Sequence, residues 1–248
     1  MTKSEILSNL FDDWEKAQLE ESDESLLLTI SGKNIRKESF ERDGIIDEEA
    51  FNKEKVKVLF ITAEANVDDY GASKGIVKTN YRDEYLHYFK TGKDEWRGKM
   101  RERICAIYGF ITNQKDVEFH LLANKFAVMD LNKRGGKKNI DDGGHIVEYT
   151  KIYKDFMIQE IEIINPDLIV WIGQNTYFMN IPELLGSVES NGNKVFRIIG
   201  KVVPILKMWQ TSYYQAKIDP LPEYRNRTIG KLCAKAKLEM ELLGIHYE

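Results

Sequence analysis

The fold is decided by the stretch Val-Lys-Val-Leu-Phe-Ile at positions 56–61, a short apolar run that is rich in strand-forming residues. A run of this kind is typical of a parallel strand that helices cover on both faces. Three more apolar runs follow it, at Phe126–Leu131, at Leu168–Ile172 and at Val195–Met208. The last run is broken at Gly200-Lys201, so it contains either one strand or two.

Helical patterns alternate with these strands. Apolar residues recur at helical spacing over Asp94–Tyr108, His145–Ile164 and Arg225–Leu243. We expect the first helix to end at Gly109 and the second at Asn165-Pro166, because these residues commonly stop a helix. The alternation predicts an α/β fold: a three-layer sandwich with a central, mostly parallel four-stranded sheet and helices on both faces.

The first 54 residues differ in pattern from the rest. Thr2 and Glu5 have the spacing of a capping box, and an amphipathic helix is predicted to run from there to Ala17. The segment Glu20–Lys55 is rich in charged residues, with one apolar run at Leu26–Ile30. We therefore assign residues 1–54 to a helix with a charged peripheral extension and residues 55–248 to an α/β domain, the two forming one compact domain.

Composition narrows the classes of function. The chain has 248 residues and a formal net charge of −4, which argues against coating nucleic acid by bulk electrostatics but leaves room for a local basic cleft. Both cysteines, Cys105 and Cys233, lie in helical patterns, and we expect them to be buried. Two thiols and four scattered histidines predict neither a metal site nor a cofactor. No apolar run suits a signal peptide or a membrane span, so we expect a cytoplasmic protein with no membrane partner.

Ligands of an open parallel sheet bind beyond the carboxyl ends of its strands, which directs attention to the loops found there. The first strand leads to Glu64, whose carboxylate is suited to holding a water molecule. The alternative is an exposed acid that caps the next helix. The last strand leads to Trp209, Tyr213 and Tyr214, aromatic side chains that suit either base stacking or core packing.

The loop after the second strand is the most distinctive of these. It starts with Asp130 and Asn132, and two glycine pairs, Gly135-Gly136 and Gly143-Gly144, follow. Glycine lets backbone N–H groups approach an anion closely, and lysine and arginine neutralise phosphate. The cations of this loop are Lys133, Arg134, Lys137 and Lys138. We interpret the loop as a phosphate contact, and the alternative is a solvated turn.

Taken in order, these loops resemble the motifs of the uracil-DNA glycosylase superfamily over Val56–Tyr214. The stretch Thr62–Asn66 corresponds to the family's first motif, and Asp130 stands where the family has the Asn that reads the flipped base. The best match is Ile163–Gly173, which is similar to the family's segment of helix, Pro-Asp, strand and Gly. Gln210-Thr211-Ser212 corresponds to the last motif, which is His-Pro-Ser in the family.

The resemblance implies a DNA-glycosylase-like hydrolase, an enzyme that flips a nucleotide and cleaves its N-glycosidic bond. In that role Glu64 orients the attacking water and Gln210 stabilises the departing base. The implied base-binding residues are Asp130, Asn132, Tyr70 and Tyr81. The implied contacts to single- or double-stranded DNA are Lys133, Arg134, Gly135, Gly136, Lys137, Lys138, Ser212, Tyr213 and Tyr214.

Asp130 bears on the choice of base. An ionised carboxylate only accepts hydrogen bonds, so it suits the exocyclic amine of cytosine better than it suits uracil. We therefore expect a base other than uracil. In the alternative, Asp130 points away and bonds the backbone of Lys133–Gly136, and Asn132 lines the pocket instead.

Two other functions stay open. One is a catalytically inactive nucleic-acid-binding protein of the same fold, and the other is a nucleotide-processing α/β enzyme with a closed pocket. The glycosylase interpretation requires Glu64, Asp130 and Gln210 to converge at one edge of the sheet, although they are far apart in sequence.

Overall fold

The computed structural model describes residues 1–21, 29–30, 33–34, 38–66, 78–94, 99–136, 144–173, 181–190, 193–208 and 218–245. The helices are α1 (Lys3–Glu20), α2 (Glu48–Lys53), α3 (Tyr81–Thr91), α4 (Met100–Ile111), α5 (Gly144–Ile164), α6 (Ile181–Leu184) and α7 (Arg227–Leu243), with a 3₁₀ turn over Phe119–Leu122. The strands are β1 (Thr29–Ile30), β2 (Lys33–Asn34), β3 (Phe40–Arg42), β4 (Gly44–Ile45), β5 (Val58–Asn66), β6 (Lys78–Asn80), β7 (Ala127–Gly136), β8 (Leu168–Ile172), β9 (Val188–Ser190), β10 (Asn193–Ile198) and β11 (Lys201–Met208).

The central sheet contains seven of these strands, in the order β4-β7-β5-β8-β11-β10-β9. The four inner neighbours β7, β5, β8 and β11 run parallel, whereas β4, β10 and β9 pair antiparallel. The α/β class is therefore confirmed, but the prediction of a four-stranded sheet is wrong. Two of the additional strands escape a search for apolar runs because β4 has only two residues and β9 only three.

The break at Gly200 in the last apolar run is a hairpin turn. Strand β10 ends at Ile198, β11 begins at Lys201, and these two residues pair antiparallel. The turn residues Ile199 and Gly200 have φ angles of 43° and 80°, as a two-residue hairpin turn of this kind requires. The interrupted run therefore contains two strands.

Successive residues of β5 face two different cores, because side chains alternate along a strand. Val58 and Phe60 belong to the first core, which α3, α4 and α7 complete. Leu59 and Ile61 belong to the second core, which α1 and α5 complete. All four side chains are fully buried, and each contributes about 1.5–3 kcal/mol of hydrophobic stabilisation. Burial on both faces fixes the register of the strand.

The first helix confirms the predicted capping box. The hydroxyl of Thr2 accepts the backbone N–H of Glu5 at 3.2 Å, and the Glu5 carboxylate accepts the backbone N–H of Thr2 at 2.7 Å. These bonds satisfy two donors that every helix start leaves open. The buried face of α1 then packs on α5, where Trp14 stacks on Phe156 with the ring centroids 5.5 Å apart.

The charged extension is less peripheral than its composition indicates. Strand β4 forms one edge of the central sheet, where Ile45 pairs with Ala127 of β7. Ile46 and Phe51 are fully buried, and β3 pairs in parallel with β6. Residues 40–51 therefore contribute both to the sheet and to the core.

Both cysteines are buried free thiols, as expected, Cys105 in α4 and Cys233 in α7. Their positions in the packed faces of two helices explain why they behave as small apolar residues. No helix within the described ranges is both long and apolar enough to cross a membrane.

Gly109 does not end α4, contrary to prediction, because the helix continues to Ile111. The glycine is needed for close packing against the chain that follows the helix. A Cβ at this position would lie 2.8 Å from Cδ1 of Leu122 and 3.2 Å from the carbonyl oxygen of Gln114. Contacts this short leave no room for a methyl group.

We expect Gly109→Ala to lower the free energy of unfolding by about 1–3 kcal/mol, because overpacking outweighs the higher helix propensity of alanine. Urea denaturation measures the change. The matched control is Ser8→Ala on the exposed face of α1, which should stay within about 0.5 kcal/mol of the wild type. A Gly109→Ala variant as stable as the wild type would contradict tight packing here.

Candidate functional site

The carboxyl ends of β5 and β7 lie side by side and carry the predicted site residues. In their parallel register Thr62 pairs with Asp130, and Glu64 pairs with Asn132. Paired residues on neighbouring strands are about 4.8 Å apart. The backbone of Glu64 therefore lies beside the predicted base-binding residues, as the prediction of a common edge requires. The side chain of Glu64 lies outside the described part of the structure.

Several predicted site residues lie outside the described ranges. They are Tyr70, Lys137, Lys138, Gln210, Ser212, Tyr213 and Tyr214. The described part of β11 ends at Met208, which pairs with Ile172 at the carboxyl end of β8. Strand β11 therefore ends at the same sheet edge as β5, and the position of Gln210 lies outside the described residues. Gly135 and Gly136 form the end of β7, where Gly136 pairs with Asn66.

Asp130 is fully buried and binds a residue of the neighbouring strand β5. Its Oδ1 accepts the hydroxyl of Thr62, and its Oδ2 has no hydrogen-bond partner among the described residues. Its backbone N–H donates to Oδ2 of Asp43 at 2.6 Å. The alternative in which the Asp130 side chain binds the backbone of Lys133–Gly136 is therefore wrong.

The charges around Asp130 favour its protonated form. Burial, followed by the charge of Asp43, raises the pKa of Asp130 to about 7, against the hydrogen bonds from Thr62 and Glu41 and the charge of Lys133. Burial, followed by Asp130 and Asp43, raises the pKa of Glu41 well above its ordinary value. Desolvation disfavours the charged form of a carboxyl group, and a like charge nearby adds to the effect. Burial and the neighbouring carboxylates therefore favour the protonated forms of Glu41 and Asp130.

Lys133 was predicted to contact DNA phosphate, and that prediction is wrong. Its side chain is 0% exposed, and its Nζ lies 2.6 Å from each carboxylate oxygen of Asp43 and 3.0 Å from Oε2 of Glu160. The ammonium also lies 5.4 Å from the ring centre of Phe11 and 5.1 Å from that of Trp14. Burial lowers the pKa of Lys133, but the charges of Asp43 and Glu160 outweigh this and raise it. Lys133 is therefore a charged structural residue.

Arg134 is buried as well, which contradicts its prediction as a DNA contact. Its Nη2 forms an ion pair with Glu21 at the end of α1, and its guanidinium lies 5.7 Å from the ring centre of Tyr149. Its backbone N–H donates to Oδ1 of Asn132 at 3.0 Å. The side chain of Asn132 thus accepts a hydrogen bond from the backbone of its own strand. Strand β7 continues to Gly136, so Lys133 and Arg134 lie in a strand and not in the predicted loop, and both side chains are buried.

Tyr81 begins α3 and is 8% exposed, so most of its ring is covered. The ring centre lies 6.1 Å from that of Tyr85. Burial, followed by the charges of Asp130 and Glu41, raises the pKa of Tyr81 well above its ordinary value. This predicted base-binding residue therefore lies close enough to the carboxyl groups of Asp130 and Glu41 for their charges to act on it.

Sequence reasoning missed three carboxyl groups of this region, those of Glu41, Asp43 and Glu160. Glu160 carried a signal, because it stands at helical spacing in the apolar stripe of α5, between Met157 and Ile164. Glu41 and Asp43 belong to the charged extension and had no local signal, since only their tertiary partners make them buried.

No protein-family model matches this chain, and no curated protein does so either. The resemblance to uracil-DNA glycosylases therefore depends on the residues of this chain alone.

Lys133→Met should destabilise the protein by about 3–5 kcal/mol, because it leaves Asp43 and Glu160 without their buried counter-charge. Urea denaturation measures the loss. Lys53→Met is the control, since its side chain is 69% exposed and its replacement should change stability by less than about 0.5 kcal/mol. Unchanged stability together with weaker DNA binding would restore the predicted phosphate contact.

Asp130→Asn should flatten the dependence of stability on pH. The folded-state pKa of Asp130 is raised to about 7, so the wild type is stabilised below about pH 4 and loses this contribution as the pH rises through 7. The asparagine does not titrate. Relative to the wild type, the variant should therefore gain at least about 1 kcal/mol between pH 5 and pH 8, measured by urea denaturation. Asp13→Asn, at an exposed position, is the control, and parallel pH profiles of wild type and Asp130→Asn would contradict the raised pKa.

Proposed function

We propose that this chain is a DNA-glycosylase-like hydrolase with the three-layer fold of the uracil-DNA glycosylase superfamily. It flips a nucleotide and hydrolyses its N-glycosidic bond. The observation that carries the proposal is the register of β5 and β7, which pairs Glu64 with Asn132 and Thr62 with Asp130. The water-positioning residue and the base-reading residues that the resemblance implies are thus neighbours at one sheet edge.

The chemistry requires a carboxylate beside the sugar. Cleavage of the C1′–N bond develops positive charge on the sugar and negative charge on the departing base. The Glu64 carboxylate orients the attacking water and stabilises the cationic sugar, as carboxylates do in glycoside hydrolysis. Gln210 donates a hydrogen bond to the departing base, although a neutral amide stabilises an anion less than a charged donor does.

The proposed DNA contacts are fewer than the sequence indicates, because Lys133 and Arg134 are buried in ion pairs. We assign phosphate binding to Lys137 and Lys138 and to the backbone N–H groups of Gly135-Gly136. Ser212, Tyr213 and Tyr214 remain the proposed contacts near the flipped nucleotide. Two phosphate contacts give a weak salt dependence, with a log–log slope of about 0.7–0.9 for each.

A second candidate is a nucleic-acid-binding protein without catalysis. One observation favours it: the Asp130 side chain is fully buried. A buried carboxyl group offers no base-reading edge to a flipped nucleotide, whereas binding to the DNA backbone does not need one.

Glu64→Gln separates the two candidates. In the proposed enzyme it should slow the formation of abasic sites by about 100-fold or more, because it removes the carboxylate that orients the attacking water. DNA binding should persist. The substrates are oligonucleotides that carry uracil, hypoxanthine, xanthine or cytosine, and alkaline cleavage reveals the abasic sites. Glu49→Gln, at a side chain that is 81% exposed on α2, is the control and should leave the rate unchanged.

Two outcomes would contradict the proposed enzyme. Binding of all four oligonucleotides by the wild type without abasic sites would favour the non-catalytic candidate. Full activity of Glu64→Gln would remove Glu64 from the reaction.

A further inference from the structure

A small cavity lies between α1, the strands β3 and β4 and the first turn of α3. Its volume is about 130 Å³, which corresponds to about four water molecules at roughly 30 Å³ each. Pockets that hold whole small molecules measure about 300–1,000 Å³, so this cavity admits only a single small group. The polar residues that line it include Ser8, Arg42, Asp43, Asn80 and Arg82. Ser8 is exposed and the Arg42 side chain is 34% exposed, so the cavity is open to solvent.

Arg82 brings unpaired hydrogen-bond donors to this cavity. Its Nε donates to the carbonyl oxygen of Ile46 at 3.0 Å, which fixes the plane of the guanidinium group. Within the described ranges, its Nη1 and Nη2 have no acceptor and no carboxylate partner. The residue is half-buried, and polar groups that are removed from water are usually hydrogen-bonded. The outer edge of this guanidinium group is therefore available to a ligand.

Arg42 and Asn80 add further donors. Arg42 forms its two ion pairs through Nη2 alone, with Asp12 at 2.5 Å and with Glu15 at 3.1 Å. Its Nε and Nη1 have no acceptor in the part of the chain that the structure describes. The Oδ1 atom of Asn80 accepts the backbone N–H of Asp83 at 3.3 Å as the N-cap of α3. The NH2 group of Asn80 is thus left as a donor.

The carboxylate that lines the cavity is already paired. Asp43 is the one carboxylate residue in the described lining, and each of its oxygens lies 2.6 Å from Nζ of Lys133. Its Oδ2 also accepts the backbone N–H of Asp130 at 2.6 Å. The side chains of the lining therefore offer more donors than acceptors, and a group that only accepts hydrogen bonds complements them.

We propose that this cavity binds one phosphate-class oxyanion, with Arg42 and Arg82 as its charged partners and Asn80 and Ser8 as neutral donors. The planar N–H groups of a guanidinium match two oxygens of a phosphoryl group, and such charge-assisted hydrogen bonds are strong. A tetrahedral oxyanion carries four acceptor oxygens, which suits the size of the cavity and its surplus of donors. Because Arg42 is shared with two carboxylates, we expect weak binding, with a Kd on the order of 1 mM.

The phosphoryl group has two possible sources, inorganic phosphate and the backbone of a nucleic acid. Binding of the oxyanion itself does not depend on the proposed function, whereas the second source does. The cavity is close to the candidate site, because Asp43 lines it and accepts the backbone N–H of Asp130 on β7. A backbone phosphate held here would supply a contact that the buried side chains of Lys133 and Arg134 do not make.

Titration of the ¹⁵N-labelled full chain with inorganic phosphate tests the site, near neutral pH and with sodium chloride holding the ionic strength constant. The Kd is measured from the NMR signals of the Asn80 side-chain amide. Arg82→Gln should weaken phosphate binding about tenfold or more, because glutamine carries no charge and has one NH2 group in place of the guanidinium fork. Arg42→Gln should weaken it by a smaller factor, because the charge of Arg42 is already shared. Arg225→Gln, at an exposed position before α7, is the control and should leave the Kd unchanged.

Two outcomes would overturn the inference. One is the absence of phosphate binding at concentrations well above about 1 mM, and the other is the same Kd in the wild type, Arg82→Gln and Arg42→Gln. Urea denaturation without phosphate shows whether each variant is folded. If Arg82→Gln does not fold, Arg42→Gln carries the test.

A second titration, with a single-stranded oligonucleotide of undamaged bases, distinguishes the two sources. If the cavity holds a backbone phosphate, Arg82→Gln should weaken oligonucleotide binding and reduce its log–log salt slope by about 0.7, and inorganic phosphate should compete. If Arg82→Gln weakens only the binding of inorganic phosphate, the ligand is the free ion and the inference stands with that source. The abasic-site assay tests the proposed function separately, so phosphate binding without any base excision would overturn that function alone.

Discussion

The ammonium group of Lys133 connects three parts of this protein that are far apart in sequence. It stands on β7, and its carboxylate partners are Asp43, just after β3, and Glu160 on α5. The rings of Phe11 and Trp14 on α1 cover it. A buried charge with a missing partner is far less stable than one with its partners in place. The N-terminal segment, the sheet and the longest helix are therefore held in one relative arrangement by the requirement to neutralise this charge.

Much of the fold follows from local patterns. Strand β8 begins and ends where its apolar run does, and the hairpin between β10 and β11 lies at the glycine that interrupts the last run. The ends of two other strands could not be predicted from the sequence. Strands β5 and β7 extend past their apolar runs to Asn66 and Gly136, because backbone pairing between neighbours sustains a strand after its apolar pattern stops. That extension is the reason why two cations assigned to a loop are buried.

The sequence predicted the candidate site only in part. Strand-end positions in a parallel sheet share an edge, so the nearness of Glu64 to Asn132 follows from strand order alone. The burial of Glu41 and Asp43 was not predicted, because both residues are charged and the residues that surround them come from other parts of the chain. Glu41 and Asp43 thus belong to the charged extension, the segment for which the sequence predicted the least structure. Their contacts with other parts of the chain are found only in the folded structure.

The separation between Asp43 and Lys133 also constrains how the molecule is made. The two residues are 90 positions apart in the chain, and a ribosome adds only about 5–20 residues each second. For several seconds the nascent chain therefore carries the Asp43 carboxylate and the apolar face of α1 without the strand and helix that cover them. Contacts over such long loops form slowly, because the chain loses the entropy of loop closure before the contacts stabilise the closed loop. The nascent N-terminal segment consequently presents its apolar face to chaperones or to other chains until β7 and α5 have been synthesised.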